Sequence, residues 1–94
     1  MKISELKSGA KNVNVDAKVI DMQEPREVNT KFGKKLVANA IIEDDSGSII
    51  LVLWGDDIQK IRMNNTIKVI NGYITEWNNE NQLNVGKYGK LEVV

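Results

Sequence analysis

The chain of 94 residues has no cysteine, no histidine, a single proline (Pro25) and an aromatic content of only 5%. Lacking cysteine, it can form neither disulfides nor thiolate metal sites, which fits a reducing compartment without requiring one. Without histidine or cysteine the usual general base and soft nucleophile are both missing, and no serine sits in a G-x-S-x-G setting. Neither a Walker A segment nor a dinucleotide-binding glycine pattern occurs. Thirteen basic residues are matched by thirteen acidic ones, so net charge supplies no bulk attraction for a polyanion. The longest apolar run, Ile49 to Trp54, falls far short of the ~20 residues of a membrane-crossing helix. The start Met1-Lys2-Ile3-Ser4-Glu5 lacks the apolar region of a secretory signal. These absences predict a cytosolic protein that is not an enzyme and holds no cofactor.

What is present is a folded domain's balance, with 41% hydrophobic residues and no low-complexity tract. The length suits one core, so residues 1–94 are read as a single domain. Val13, Val15, Ala17 and Val19 alternate with polar residues, the period of a strand buried on one face, and predict a first strand at 12–22. Ile3 and Leu6 before it, followed by Gly9, predict a helical turn plugging one end of the core. Residues 23–34, with Pro25, Lys31, Phe32, Gly33 and Lys34, read as a long loop. Leu36, Ala38, Ala40 and Ile42 alternate again, Asp44-Asp45-Ser46-Gly47 supplies a turn, and Ile49, Leu51 and Leu53 complete a hairpin of strands two and three.

Gly55 breaks the third strand, and Asp56 is placed to cap a helix of two turns with Ile58 and Ile61 on one side. Thr66–Trp77 reads as strand four, Asn78–Asn81 as a tight loop, Gln82–Val85 as strand five, and Leu91 and Val93 as a final extended piece. Three strands, a short helix and two strands match an all-β, five-stranded Greek-key OB-fold barrel with the helix between strands three and four. A ubiquitin-like fold wants its main helix after strand two, and an SH3-like barrel usually lacks this helix.

Alternation also shows which side chains the barrel cannot hide. With Ile49, Leu51 and Leu53 inward, Ile50, Val52 and Trp54 face outward. In strand four a bulge at Asn71-Gly72 would put Ile67, Val69 and Ile74 inside and aim Tyr73 and Trp77 outward. Trp54, Tyr73 and Trp77 on one face make a stacking platform for unpaired bases, whose flat π-surfaces duplex DNA does not offer. Lys31, Lys34 and Lys35 beside Phe32, Lys87 and Lys90 after strand five, and Lys18 on strand one would put positive charge at the groove's edges. The pairs Asp44-Asp45 and Asp56-Asp57 are explained by turn formation and helix capping, with no EF-hand spacing, so no metal site is expected.

The stretch Asp44-Asp45-Ser46-Gly47-Ser48-Ile49, then Leu53-Trp54-Gly55-Asp56-Asp57, Ile67 to Gly72-Tyr73, and Trp77 resembles the replication protein A and archaeal single-stranded DNA-binding protein family. The opening Ile3-x-x-Leu6-x-x-Gly9-x-x-Asn12-Val13 is similar to that family's start. The resemblance implies sequence-tolerant binding of single-stranded DNA in replication, repair or recombination, nucleoid association in a prokaryotic cytoplasm, and other OB domains or subunits as partners. It also makes Trp54, Tyr73 and Trp77 the stacking residues. A further aromatic of short family members would fall at about Asn84, so that platform is missing unless Tyr88 replaces it. The chain stops at Val94, before any partner-recruiting tail, and reads as one OB domain of a larger protein or as a minimal variant. Two other functions remain open from the residues: an OB-fold protein interaction module using Ile50, Val52, Trp54 and Trp77 as an apolar patch, and RNA binding.

Overall fold

In the computed structural model, which describes residues 2–94 apart from the side chain of Lys87, the alternating segments become the walls of a barrel. The strands are β1 (Val13–Met22), β2 (Arg26–Thr30), β3 (Gly33–Asp44), β4 (Gly47–Trp54), β5 (Thr66–Trp77) and β6 (Glu80–Val93). They are ordered β1-β5-β6-β4-β3-β2, and an additional β1–β3 pairing closes the sheet on itself. The β4–β6 pairing is parallel and the others are antiparallel. Five strands therefore form the Greek-key barrel of an OB fold, and β2 is an addition to it. The inward positions of each wall, among them Val15, Val19, Ala40, Ile42, Leu51, Leu53, Ile67, Val69 and Leu83, are buried in one core.

Three local expectations are corrected. The segment expected as a loop at 23–34 holds β2, which pairs with β3 from Arg26↔Val37 to Thr30↔Gly33 and makes a two-stranded arm. Its turn is tied by Thr30, whose Oγ1 donates to Gly33 O (2.7 Å) and accepts from Phe32 N (3.2 Å). Because the arm projects past the barrel, Leu36, at the head of an alternating apolar set, is 48% exposed. The fifth strand and the final extended piece are one continuous strand, β6, hydrogen-bonded along nearly the whole of β5. The helix, α1, is a single turn, Asp57–Lys60, and Asp56 precedes it in αR conformation without a side-chain cap. It lies between β4 and β5 because the arm adds a strand ahead of it.

The helical turn at Ile3–Glu5 plugs the barrel as expected, with Ile3 and Leu6 buried. It is moored to the β3–β4 turn: Ile3 N donates to Asp44 Oδ2 (2.8 Å), Ser4 N donates to Ser46 Oγ (3.0 Å), and Lys2 pairs with Asp45. Partial burial pushes the Asp44 carboxyl up, but hydrogen bonds from the Ser46 hydroxyl and the amides of Ile3, Ser46 and Gly47 outweigh it and hold the carboxyl at about 2, below its ordinary 3.8. A carboxylate depressed on folding stabilises fully above its unfolded value, and the contribution is lost as pH falls through the folded one. The urea midpoint is therefore expected to drop between pH ~4 and pH ~2 in the wild type. In Asp44→Asn the drop should be shallower and the midpoint at neutral pH lower. Equal slopes in that window would refute this role for Asp44.

Candidate nucleic-acid interface

The outward side chains of β3, β4, β6 and β5 form one continuous wall, and register fixes who stands beside whom. Asn39 pairs with Val52, Val52 with Asn84, and Asn84 with Tyr73, so these four make one row across four strands. Trp54 pairs with Val37 in the row above, while Thr75 pairs with Gln82 and Trp77 with Glu80 in the rows below. Tyr73 and Trp77 face outward because β5 is bulged. Its register against β6 shifts between Ile70 and Gly72, and Asn71 takes a left-handed φ of 58°. One extra residue there moves the buried series from Ile67 and Val69 to Ile74, and everything in alternation with Ile74 turns to solvent.

The result is three rings on one wall, with residue exposures of 42% for Trp54, 39% for Tyr73 and 66% for Trp77. Tyr73 and Trp77 are separated by about 13 Å along the strand, and Trp54 lies two strands, roughly 10 Å, to the side of Tyr73. Stacked bases follow one another at only about 3.4 Å. The rings are therefore spaced several times farther apart than consecutive stacked bases.

Between the rings the floor is firm. Asn84 is buried and its Nδ2 donates to Thr75 Oγ1 (3.0 Å) and to Gln82 O (3.3 Å), a bridge that sequence reasoning missed. The only advance signal was that Thr75 shares the parity of Tyr73 and Trp77. Both Asn84 amide hydrogens are engaged, so its Oδ1 is oriented as an acceptor. Val52 also faces outward but is covered by its neighbours, and Ile50 is half-buried. The apolar patch expected from Ile50, Val52, Trp54 and Trp77 is accordingly smaller than alternation alone implied.

The remaining candidates distribute unevenly. Lys35 shares the parity of Val37, which pairs with Trp54, so it stands on the arm beside the aromatic wall. Lys31 and Phe32 form the exposed tip of the arm, the ammonium 5.2 Å from the ring centroid. Lys34 pairs with Glu27 at 3.4 Å, an exposed ion pair of little energetic weight. Lys18 is not brought to the wall: it pairs with Glu43 and Thr66, at the far ends of β3 and β5 from Val37 and Trp77. Lys90 pairs with Ile70 on the other side of the bulge. Tyr88 is exposed, and the side chain of Lys87 lies outside the described residues. Among the described residues no group of three or more acidic side chains is gathered as metal ligands would be. Nor is any helix long and apolar enough to cross a membrane.

A small closed β-barrel of this strand order, with three exposed rings on its outer wall, is an OB fold. The family profile described as single-stranded DNA binding protein Ssb-like, OB fold, matches residues 6–93, and the chain belongs to that family. It is 32% identical over 90 residues, 96% of its length, to the single-stranded DNA binding protein Ssb of Saccharolobus solfataricus, and spans 61% of that protein. Over 72 residues it is 36% identical to replication factor A of Methanothermobacter thermautotrophicus, covering 74% of the chain and 9% of that protein. The solution structure of a replication factor A related protein from Methanobacterium thermoautotrophicum superposes with a TM-score of 0.83 at 27% identity, covering all of this chain and 89% of the other. An OB domain from Thermoplasma acidophilum superposes at 0.87 with 22% identity, covering all of this chain and 85% of that one, a likeness of fold.

Proposed function

We propose that this domain binds single-stranded DNA without reading its sequence, by stacking unpaired bases on Trp54, Tyr73 and Trp77 while arm lysines hold the phosphates. The observation that carries this is the exposure of all three rings on one wall, which the β5 bulge makes possible and which no demand of the core explains. A ring meets the face of any base, so the contact tolerates sequence, whereas a duplex keeps those faces to itself. At about 1–3 kcal/mol per base the platforms supply roughly 3–9 kcal/mol. The upper part of that range reaches micromolar affinity, and phosphate contacts are needed to secure it. Lys35 stands nearest the wall, with Lys31 and Lys34 farther along the arm.

Binding, with no chemical step, is the whole of the activity proposed. The relatives are named as a single-stranded DNA binding protein and a replication factor. The chain spans about three-fifths of the first and less than a tenth of the second, so its place in replication, repair or recombination, alongside further OB units, is part of the proposal.

The test is titration with oligothymidylate at several salt concentrations, followed by tryptophan fluorescence. Quenching is expected, because Trp54 and Trp77 are the only tryptophans. Each phosphate held by a lysine contributes about −0.7 to the slope of log K against log salt, so two or three contacts predict a slope of roughly −1.4 to −2.1. A slope near zero would leave the arm lysines without a role. Competition by matched RNA decides the sugar preference, and equal competition would widen the ligand class to single strands of either kind.

A further inference from the structure

A hollow adjoins the aromatic wall at the end away from Trp77. It opens where the segment Gly9–Asn12 crosses beside the β5 bulge, a crossing fixed by Gly9 N to Ile74 O (3.1 Å) and Ile74 N to Ala10 O (2.9 Å). The cavity is about 360 Å³, at the small end of ligand sites. Gly72, Ile74 and Gly86 line it, together with two aromatic residues, Tyr73 and Tyr88. Tyr73 therefore belongs to both surfaces: an atom added at Gly86 would meet its ring at 3.3 Å.

The rim is polar where a base has polar edges. Asn12 and Asn71 line it, both with left-handed backbone (φ 55° and 58°). The carboxamides of these two asparagines carry no hydrogen bond to any described residue, Asn71 being bonded through its main-chain N–H to Asn14. A carboxamide offers a donor and an acceptor together, the pairing that matches a base edge. Lys11 also lines it and is exposed, adding a cation to the same edge.

We infer that this hollow takes the base at one end of the bound strand, inserted beside Tyr73 against Tyr88, its edge on Asn12 and Asn71 and its phosphate at Lys11. The inference rests on the single-strand reading above and deepens it: the continuous wall gives the strand its path, and the hollow gives that path an end. Recognition of a strand end or of an everted base would follow, which stacking on an open wall does not provide.

The experiment compares oligothymidylates intact or abasic at the 5′ or the 3′ terminal nucleotide, on wild type, on Tyr88→Ala and on Asn12→Gly/Asn71→Gly. Glycine keeps the left-handed backbone at both asparagines, so the double variant removes the amides without straining the chain. In the wild type, loss of the base at one end only should weaken binding on the order of tenfold, the scale of one stacked base. In both variants that penalty should shrink severalfold. Terminal-base penalties that are alike at the two ends, or unchanged in both variants, would overturn the inference while tryptophan quenching upheld the stacking wall. If wild type neither quenches nor binds, the single-strand reading falls, and this inference with it.

Discussion

Replacing Trp54 and Trp77 together by alanine is expected to weaken single-stranded DNA binding between about 30-fold and about 20,000-fold, with the fold retained and only a modest loss of thermal stability. Two stacked bases at about 1–3 kcal/mol each give a loss of ~2–6 kcal/mol. The stability side follows from exposure: both rings sit on the outer wall and neither belongs to the core. Loss of the more exposed Trp77 should stay within the ~0.5 kcal/mol usual for surface changes, while Trp54 stands opposite buried Val37, so its loss uncovers some apolar surface. Tyr73→Ala would be a poorer test, because that ring packs over Gly86 and lines the terminal hollow. Anisotropy of a labelled oligonucleotide replaces tryptophan fluorescence in the double variant, and a thermal melt checks the fold. Unchanged affinity in a protein that melts normally would mean that bases do not stack on these rings, whatever else the domain binds.

The architecture was legible wherever one face of a strand is buried, because burial on one side imposes a period of two. Val13 to Val19, Ala38 to Ile42, Ile49 to Leu53 and the bulged Ile67–Ile74 series all carry it, and all are core. The arm strand β2 was invisible for the complementary reason. Arg26–Thr30 buries no side chain fully, so main-chain pairing to β3 makes it a strand, and with Val28 as its only apolar residue it carries no alternating apolar series. β6 read as two pieces because Gly86 and Gly89 interrupt its apolar pattern. In the barrel Gly89 is a requirement of close approach, since a Cβ would lie 2.9 Å from Ile70 O and 3.1 Å from Gly86 N.

At the site, parity within each strand was sufficient to find three outward rings, which needs no knowledge of neighbouring strands. Features that depend on register between strands were beyond it: the cover over Val52, the Asn84–Thr75 bridge, and the position of Lys18 beside Glu43 and Thr66. Asn84 shows the difference well. Its place in the sequence marks where a relative's aromatic would stand, whereas its neighbours show a polar strut between Val52 and Tyr73.

Gly72→Ala is expected to damage both fold and binding, because Gly72 is where the bulge, the core and the aromatic wall meet. It pairs with Val13 on one side and Val85 on the other, so it lies between two strands and has no open edge. An added Cβ would come within 2.8 Å of Asn84 O, 3.0 Å of Leu83 Cδ1 and 3.1 Å of Val69 Cγ1. Leu83 and Val69 are fully buried and have nowhere to retreat, so the strain must move the β6 main chain at Asn84. Overpacking of this kind costs about 1–3 kcal/mol, and in a domain of this size each kcal/mol lowers the melting temperature by roughly 4–8 °C. The displaced Asn84 faces Tyr73, and its amide holds Thr75. Affinity measured well below the melting transition should therefore fall as well, by more than in Thr75→Val, which removes the amide's partner without a clash. A Gly72→Ala protein that melts and binds like the wild type would show that this main-chain approach is not what aims Tyr73 outward.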